Sequence, residues 1–92
     1  PRYDNWRQSV YRKDNHTCQI CYNKEYLNAH HLMSYDKYVE LRLDVNNGIT
    51  LCETCHDNFH NIYGRGDNTL PQFKEHIINI TNGLLTPPIF EK

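Results

Sequence analysis

Two C-x-x-C pairs, Cys18/Cys21 and Cys52/Cys55, constrain this chain more than any other feature. Thirty residues separate them, so whatever joins the four sulfurs must draw two distant segments together. The 92 residues suffice for one small domain with a modest core, and a hydrophobic fraction of 38% is low for a compact fold. A domain of this size needs a staple: two disulfides or one metal site. The sequence shows no signal peptide and no apolar run of about 18 residues, so neither secretion nor a membrane span is indicated. The expected setting is intracellular and reducing, where paired C-x-x-C knuckles are more often metal ligands than disulfides. Zinc is therefore the reading, with disulfides or free thiols as the alternatives. Four thiolates complete a tetrahedral zinc site and leave no open position, so its role is structural. His16, two residues before Cys18, would be surplus and is expected as an exposed turn residue. The chain opens at Pro1 rather than Met, as a fragment of a longer protein or a tag-trimmed product would.

Elements follow from the residue pattern. Trp6 and Val10 fall at i and i+4 with Tyr11 beside them, which predicts a short amphipathic helix over residues 5–13 with Arg7 and Arg12 on its opposite face. Asp14-Asn15 ends it. Tyr26 to His30 reads as a short strand, with His31 where it should end. Residues 32–43 fit an irregular loop or a helical turn. Asp44 to Gly48 carries strong turn chemistry, and Asn47-Gly48 is a hairpin signal. Ile49-Thr50-Leu51 returns as a strand, and Glu53 to Tyr63 turns helical, with Cys55, Phe59 and Ile62 one way and Gly64 as its stop. Thr69-x-x-Gln72 looks like a capping box opening a helix over 70–81, with Leu70, Phe73, Ile77 and Ile80 as its core stripe. His76 falls off that stripe and is expected to be exposed. Tyr26, Tyr38 and Tyr63 are expected in the core. Residues 84–92 form a tail or linker.

The histidines add chemistry. His56 and His60 are four apart on one helix, so they share a face and can bind one metal, although two histidines on an amphipathic helix are also ordinary. His30 and His31 are adjacent. On a regular strand they would face opposite ways, but at a strand end one ring can enter a metal site while its neighbour reaches a water beside it.

At these residues, L-N-A-H-H-L, N-N-G-I-T-L-C and C-H-D-N-F-H-N-I-Y-G, the chain resembles the HNH endonucleases. These are the ββα-metal nucleases, and the likeness is to the subset braced by a four-cysteine zinc site, of phage or mobile-element type. The resemblance spans residues 18 to about 64. It implies a small α+β fold: a ββα-metal core stapled by zinc and flanked by N- and C-terminal helices, within one nuclease domain over residues 1–83. It gives His30 the first metal-ligand position, often Asp in the family but His in the bacterial DNase toxins. His31 takes the general-base position, Asn47 the central Asn, and His56 and His60 complete the metal set. Asn46 competes with Asn47, and the nine-residue interval to His56 favours Asn47.

The implied activity is metal-dependent hydrolysis of DNA phosphodiester bonds, leaving 5′-phosphate and 3′-hydroxyl ends. Three imidazoles favour Zn2+, Ni2+, Mn2+ or Co2+ over Mg2+, which prefers oxygen ligands. Members with Asp at the first position often use Mg2+, which keeps it among the candidate cations. Double-stranded DNA is the expected partner, with specificity supplied by further domains, a homodimer partner or the basic first helix. The first thirteen residues carry four basic and one acidic side chains, and the other 79 carry six basic and ten acidic. Arg7 and Arg12 are thus candidate DNA contacts or simply a solvated face. Arg42 and Arg65 are candidate phosphate contacts, Arg42 alternatively pairing with Glu40 or Asp44. A zinc-ribbon binding module without catalysis is the rival from another class, and an RNase on the same motif a third.

Overall fold

The computed structural model describes residues 2–81. Three helices surround a two-stranded antiparallel sheet: α1 (Arg2–Lys13), β1 (Leu27–His31), β2 (Gly48–Cys52), α2 (Glu53–Tyr63) and α3 (Leu70–Thr81). The tail expected over 84–92 lies outside the described residues. Among them, no helix is long and apolar enough to cross a membrane.

The sheet sets the register of the whole site. His30 pairs with Ile49 and His31 with Gly48, so both histidines occupy the last two rungs of the ladder. Every residue of β2 is buried, because α2 and α1 cover it from different sides. A two-stranded sheet leaves open edges, and polar groups close that of β2. Asp14, at the end of α1, accepts the Thr50 N–H at 2.8 Å, and the Gln19 N–H donates to the Thr50 carbonyl at 3.0 Å.

α1 begins three residues earlier than the periodicity indicated, and buries Trp6, Val10 and Tyr11. Gly48 lets it come close. A Cβ there would overlap Val10 and stand 2.8 Å from Trp6 Cζ2. The hairpin reading of Asn47-Gly48 is therefore corrected. Gly48 is extended (φ −124°) and opens β2, while residues 32–47 make a long connection with short 3-10 turns at Val39–Leu41 and Val45–Asn47. The glycine serves close packing, not a tight turn.

The core gathers Leu32, Ile49, Leu51, Phe59, Phe73 and Ile77 with Cys18 and Cys52. The capping box forms as expected. Gln72 N–H donates to Thr69 Oγ1 at 3.3 Å, and Thr69 N–H to Gln72 Oε1 at 3.0 Å. Four burial expectations are corrected. His76 is buried at 2% exposure, edge-on to Phe59 and Tyr63. Ile80 and Ile62 are exposed, because the small sheet and the neighbouring helix cover only part of each helix. Tyr26 is 74% exposed. Its positive φ (54°) sits just ahead of β1, and its carbonyl accepts the Glu53 N–H at 2.8 Å at the start of α2. Tyr38 and Tyr63 are half-buried.

Candidate active site

α2 carries two potential metal sites, one at its start and one along its side. At the start, the sulfurs of Cys18, Cys21, Cys52 and Cys55 all lie within 4.8 Å of one another, with Cys21 and Cys52 at 3.5 Å. Tetrahedral zinc with bonds of about 2.3 Å needs sulfurs roughly 3.8 Å apart. All four cysteines are free thiols. Burial opposes ionisation of Cys18, yet the backbone N–H groups of Cys21, Cys52 and Ile20 outweigh it and hold Cys18 at about 7. Burial pushes Cys55 and Cys21 up instead. Cys18 is thus the readier thiolate, while Cys21 and Cys55 resist ionisation until a cation compensates. The four cysteines are positioned to form a structural zinc site. His16 is exposed and outside the cluster.

Along the side of α2, His56 and His60 meet His30 from β1, with ligating nitrogens again within 4.8 Å. His56 Nε2 and His60 Nε2 stand 3.1 Å apart. His60 Nδ1 donates to the Gly64 carbonyl at 2.7 Å, so the lone pair of the neutral ring lies on Nε2. His30 is the informative member. It is buried at 4% exposure, and its Nε2 has no hydrogen-bond partner. Burial, then His56 and His60, push it down to about 3, and burial, then His60, push His56 down to about 4. Both rings are therefore neutral near pH 7. A buried unpaired nitrogen facing two others is a donor set that suits a borderline divalent cation.

His31 lies beside this cluster. Its Nε2 donates to the Arg42 carbonyl at 2.9 Å, which leaves Nδ1 as the basic nitrogen, and burial lowers its pKa. The three imidazoles and His31 line one open cleft of about 230 Å³, together with Tyr3, Tyr35 and Arg65. Asn47, buried, lies outside the cleft wall and ties the long connection together. Its Oδ1 accepts the Met33 N–H at 2.8 Å, while Nδ2 donates to the carbonyls of Met33 (3.0 Å) and Leu41 (3.2 Å). Asn46 is exposed and only completes the turn, its N–H meeting Asp44 Oδ1.

The arginines are dispersed. Arg65 lines the cleft and pairs with Asp57 at 3.3 Å. Arg42 makes no ion pair with Glu40 or Asp44 among the described residues. Its Nε donates to the Tyr35 carbonyl at 2.6 Å, and its guanidinium sits 4.3 Å over the Tyr35 ring, in a groove that shares Tyr3 and Tyr35 with the histidine cleft. Arg7 is held by Asp4 and Tyr11, and Arg12 by Ser9; neither lines the cleft.

Sequence reasoning missed four contributors. The Gly64 carbonyl orients His60, and its signal was available: Gly64 stands four positions after His60 at a helix end. Trp6 stacks on His31, and Tyr3 and Tyr35 flank the same ring. Nothing in the residue spacing brings α1 to the end of β1.

Residues 18–61 match the family model of the HNH endonucleases. No curated protein matches the chain, and no solved structure does. The matched segment holds both cysteine pairs, His30, His31, Asn47, His56 and His60, and its strands and helix follow the ββα-metal order. The chain carries an HNH endonuclease domain.

Proposed function

We propose that this domain is a metal-dependent DNA endonuclease in which His31 is the general base and His30, His56 and His60 hold the catalytic cation. The observation that carries the reading is the sharing of one cleft. Three imidazole nitrogens converge there, one of them buried and unpaired, and His31 reaches the same space with Nε2 already committed. A divalent cation held by the triad would act as Lewis acid on the phosphate and offset charge on the departing 3′ oxygen. The chain's own residues do the rest. His31 Nδ1 takes a proton from the attacking water, a task suited to a histidine that stays neutral near pH 7. The Arg42 carbonyl fixes its tautomer and stabilises the imidazolium that forms. Asn47 holds the connection from which that carbonyl projects. Arg65 at the cleft wall is placed to exchange Asp57 for a phosphate oxygen.

Attack on phosphorus with departure of the 3′ oxygen leaves 5′-phosphate and 3′-hydroxyl ends. Double-stranded DNA is the proposed substrate, and the reducing interior of a cell the setting that keeps four thiols on zinc. Specificity for sequence would come from a second copy, other domains or the basic first helix, and the acidic balance of residues 14–92 provides little general attraction for DNA.

The test is nicking of supercoiled plasmid by the zinc-loaded protein with Mn2+, Ni2+, Zn2+ or Mg2+ added, followed by ligase without kinase. The proposal expects cation-dependent nicks that ligase reseals directly. Nicks that need prior phosphorylation would contradict the product assignment. Absence of cleavage with all four cations, alongside tight DNA binding, would favour a non-catalytic zinc module, and cleavage of RNA alone would change the substrate.

A further inference from the structure

The stack of Trp6 on His31 does more than fill space. The two rings lie 3.8 Å apart between centroids with an 8° angle between planes, so one whole face of the imidazole is covered. Trp6 is itself fixed. It is 2% exposed, its Nε1–H donates to the Asp44 carbonyl at 2.8 Å, and its helix sits directly on Gly48, the residue that pairs with His31 across the sheet. The edge of His31 is held separately, by the Arg42 carbonyl two residues before Asp44.

These two restraints are complementary. The covalent tether at Cγ and one hydrogen bond at Nε2 fix two points of the ring and leave it free to rock about the line joining them. A flat surface against the face removes that motion. Together they leave Nδ1 one direction in which to point. We propose that Trp6 is a positioning residue for the general base: the plane of its indole sets the plane of His31. The proposal rests on the reading of His31 as the base. It also explains why α1, which supplies nothing that ligates a metal, is docked so closely against the end of β1.

The discriminating pair is Trp6→Phe and Trp6→Leu. Both lose the indole N–H bond to Asp44, and both keep an apolar side chain in the core, but only phenylalanine keeps a flat ring. With zinc content and melting temperature measured alongside, Trp6→Leu is expected to lower kcat for plasmid nicking by about 10- to 100-fold with KM within about threefold of the wild type. Trp6→Phe is expected to recover most of that loss. Equal kcat in the two variants would overturn the proposal, since a merely structural tryptophan does not distinguish them. A fall in both that tracks melting temperature would overturn it equally. One measurement needs no Trp6 variant. The His31 ring protons, assigned by their disappearance in His31→Ala, are expected well upfield of ordinary histidine positions because of the indole ring current. Ordinary positions would overturn the stack in solution. A wild type that cuts nothing removes the nuclease reading, and the role of Trp6 with it. An active wild type matched by Trp6→Leu removes the role of Trp6 alone.

Discussion

The Asn47 carboxamide brackets Met33: Oδ1 accepts the Met33 N–H at 2.8 Å and Nδ2 donates to the Met33 carbonyl at 3.0 Å. The last residue before β2 is thereby clamped to a residue two positions beyond His31. A third bond, from Nδ2 to the Leu41 carbonyl, holds the far side of the same connection. Asn47→Ala leaves those backbone groups partly buried and unpaired, at a cost of about 2–3 kcal/mol. Asn47→Asp, which keeps the acceptor but turns a second carboxylate oxygen toward two carbonyls, is expected to cost at least as much. Thermal melting gives the stability order, and nicking rates should fall in both variants by more than the unfolded fraction accounts for.

The cysteine cluster should behave as one unit. Cys18 and Cys52 are both buried within the apolar core, so losing the ion they would hold also exposes Leu32, Phe59 and their neighbours. Cys18→Ser is expected to copurify with less zinc and to lose most of its helical circular dichroism at 37 °C. His56→Ala should retain about one equivalent of tightly held zinc and stay folded. Stability that depends on oxidation rather than on a chelator would instead mean disulfides.

Much of this was legible in the residues. The bounds of α2 and α3 match the sequence reading because local signals set both: a capping box at Thr69, a stop at Gly64, and apolar spacing between. The metal-type clusters were legible for the same reason, since an i, i+4 pair and a C-x-x-C are local geometry. The connection 32–47 was not, because its shape comes from Asn47 reaching back fourteen residues to Met33. Helix-face burial failed where composition outvoted angle. His76 lies between Phe73 and Ile77 in sequence and shares their face at 100° per residue, so a polar residue was placed outside a stripe it belongs to. Ile80 has the right angle too, yet among the described residues little covers it. Asn47-Gly48 carries a turn signal because Asn-Gly so often forms a turn. The actual reason for the glycine, the approach of Trp6 and Val10, is a tertiary contact.

That approach can be probed directly. Gly48→Ala adds a methyl where Val10 and Trp6 already press, and overpacking of this kind costs about 1–3 kcal/mol. The melting temperature should fall. The fluorescence of Trp6, the single tryptophan, should shift to the red as α1 lifts from the sheet.

His76 predicts a pH effect. Burial lowers its pKa below the ordinary histidine value, and its Nδ1 has no partner. The unfolded chain takes up this proton near pH 6.5 and the folded one only at lower pH, so the folded state loses stability as pH falls below about 6.5. His76→Leu abolishes that term. The variant should gain on the wild type between pH 7.5 and pH 5.5 in denaturant melts. Parallel pH profiles for the two proteins would mean that His76 titrates alike in both states.

In the proposed mechanism His31 moves the proton. The most direct measurement compares single-turnover nicking by wild type and His31→Ala, both zinc-loaded and at saturating catalytic cation. A fall of about 10²- to 10⁴-fold at unchanged cation affinity is expected, because His31 would activate water but is not among the three converging imidazoles. Equal rates in the two proteins, or a loss fully restored by more cation, would contradict it.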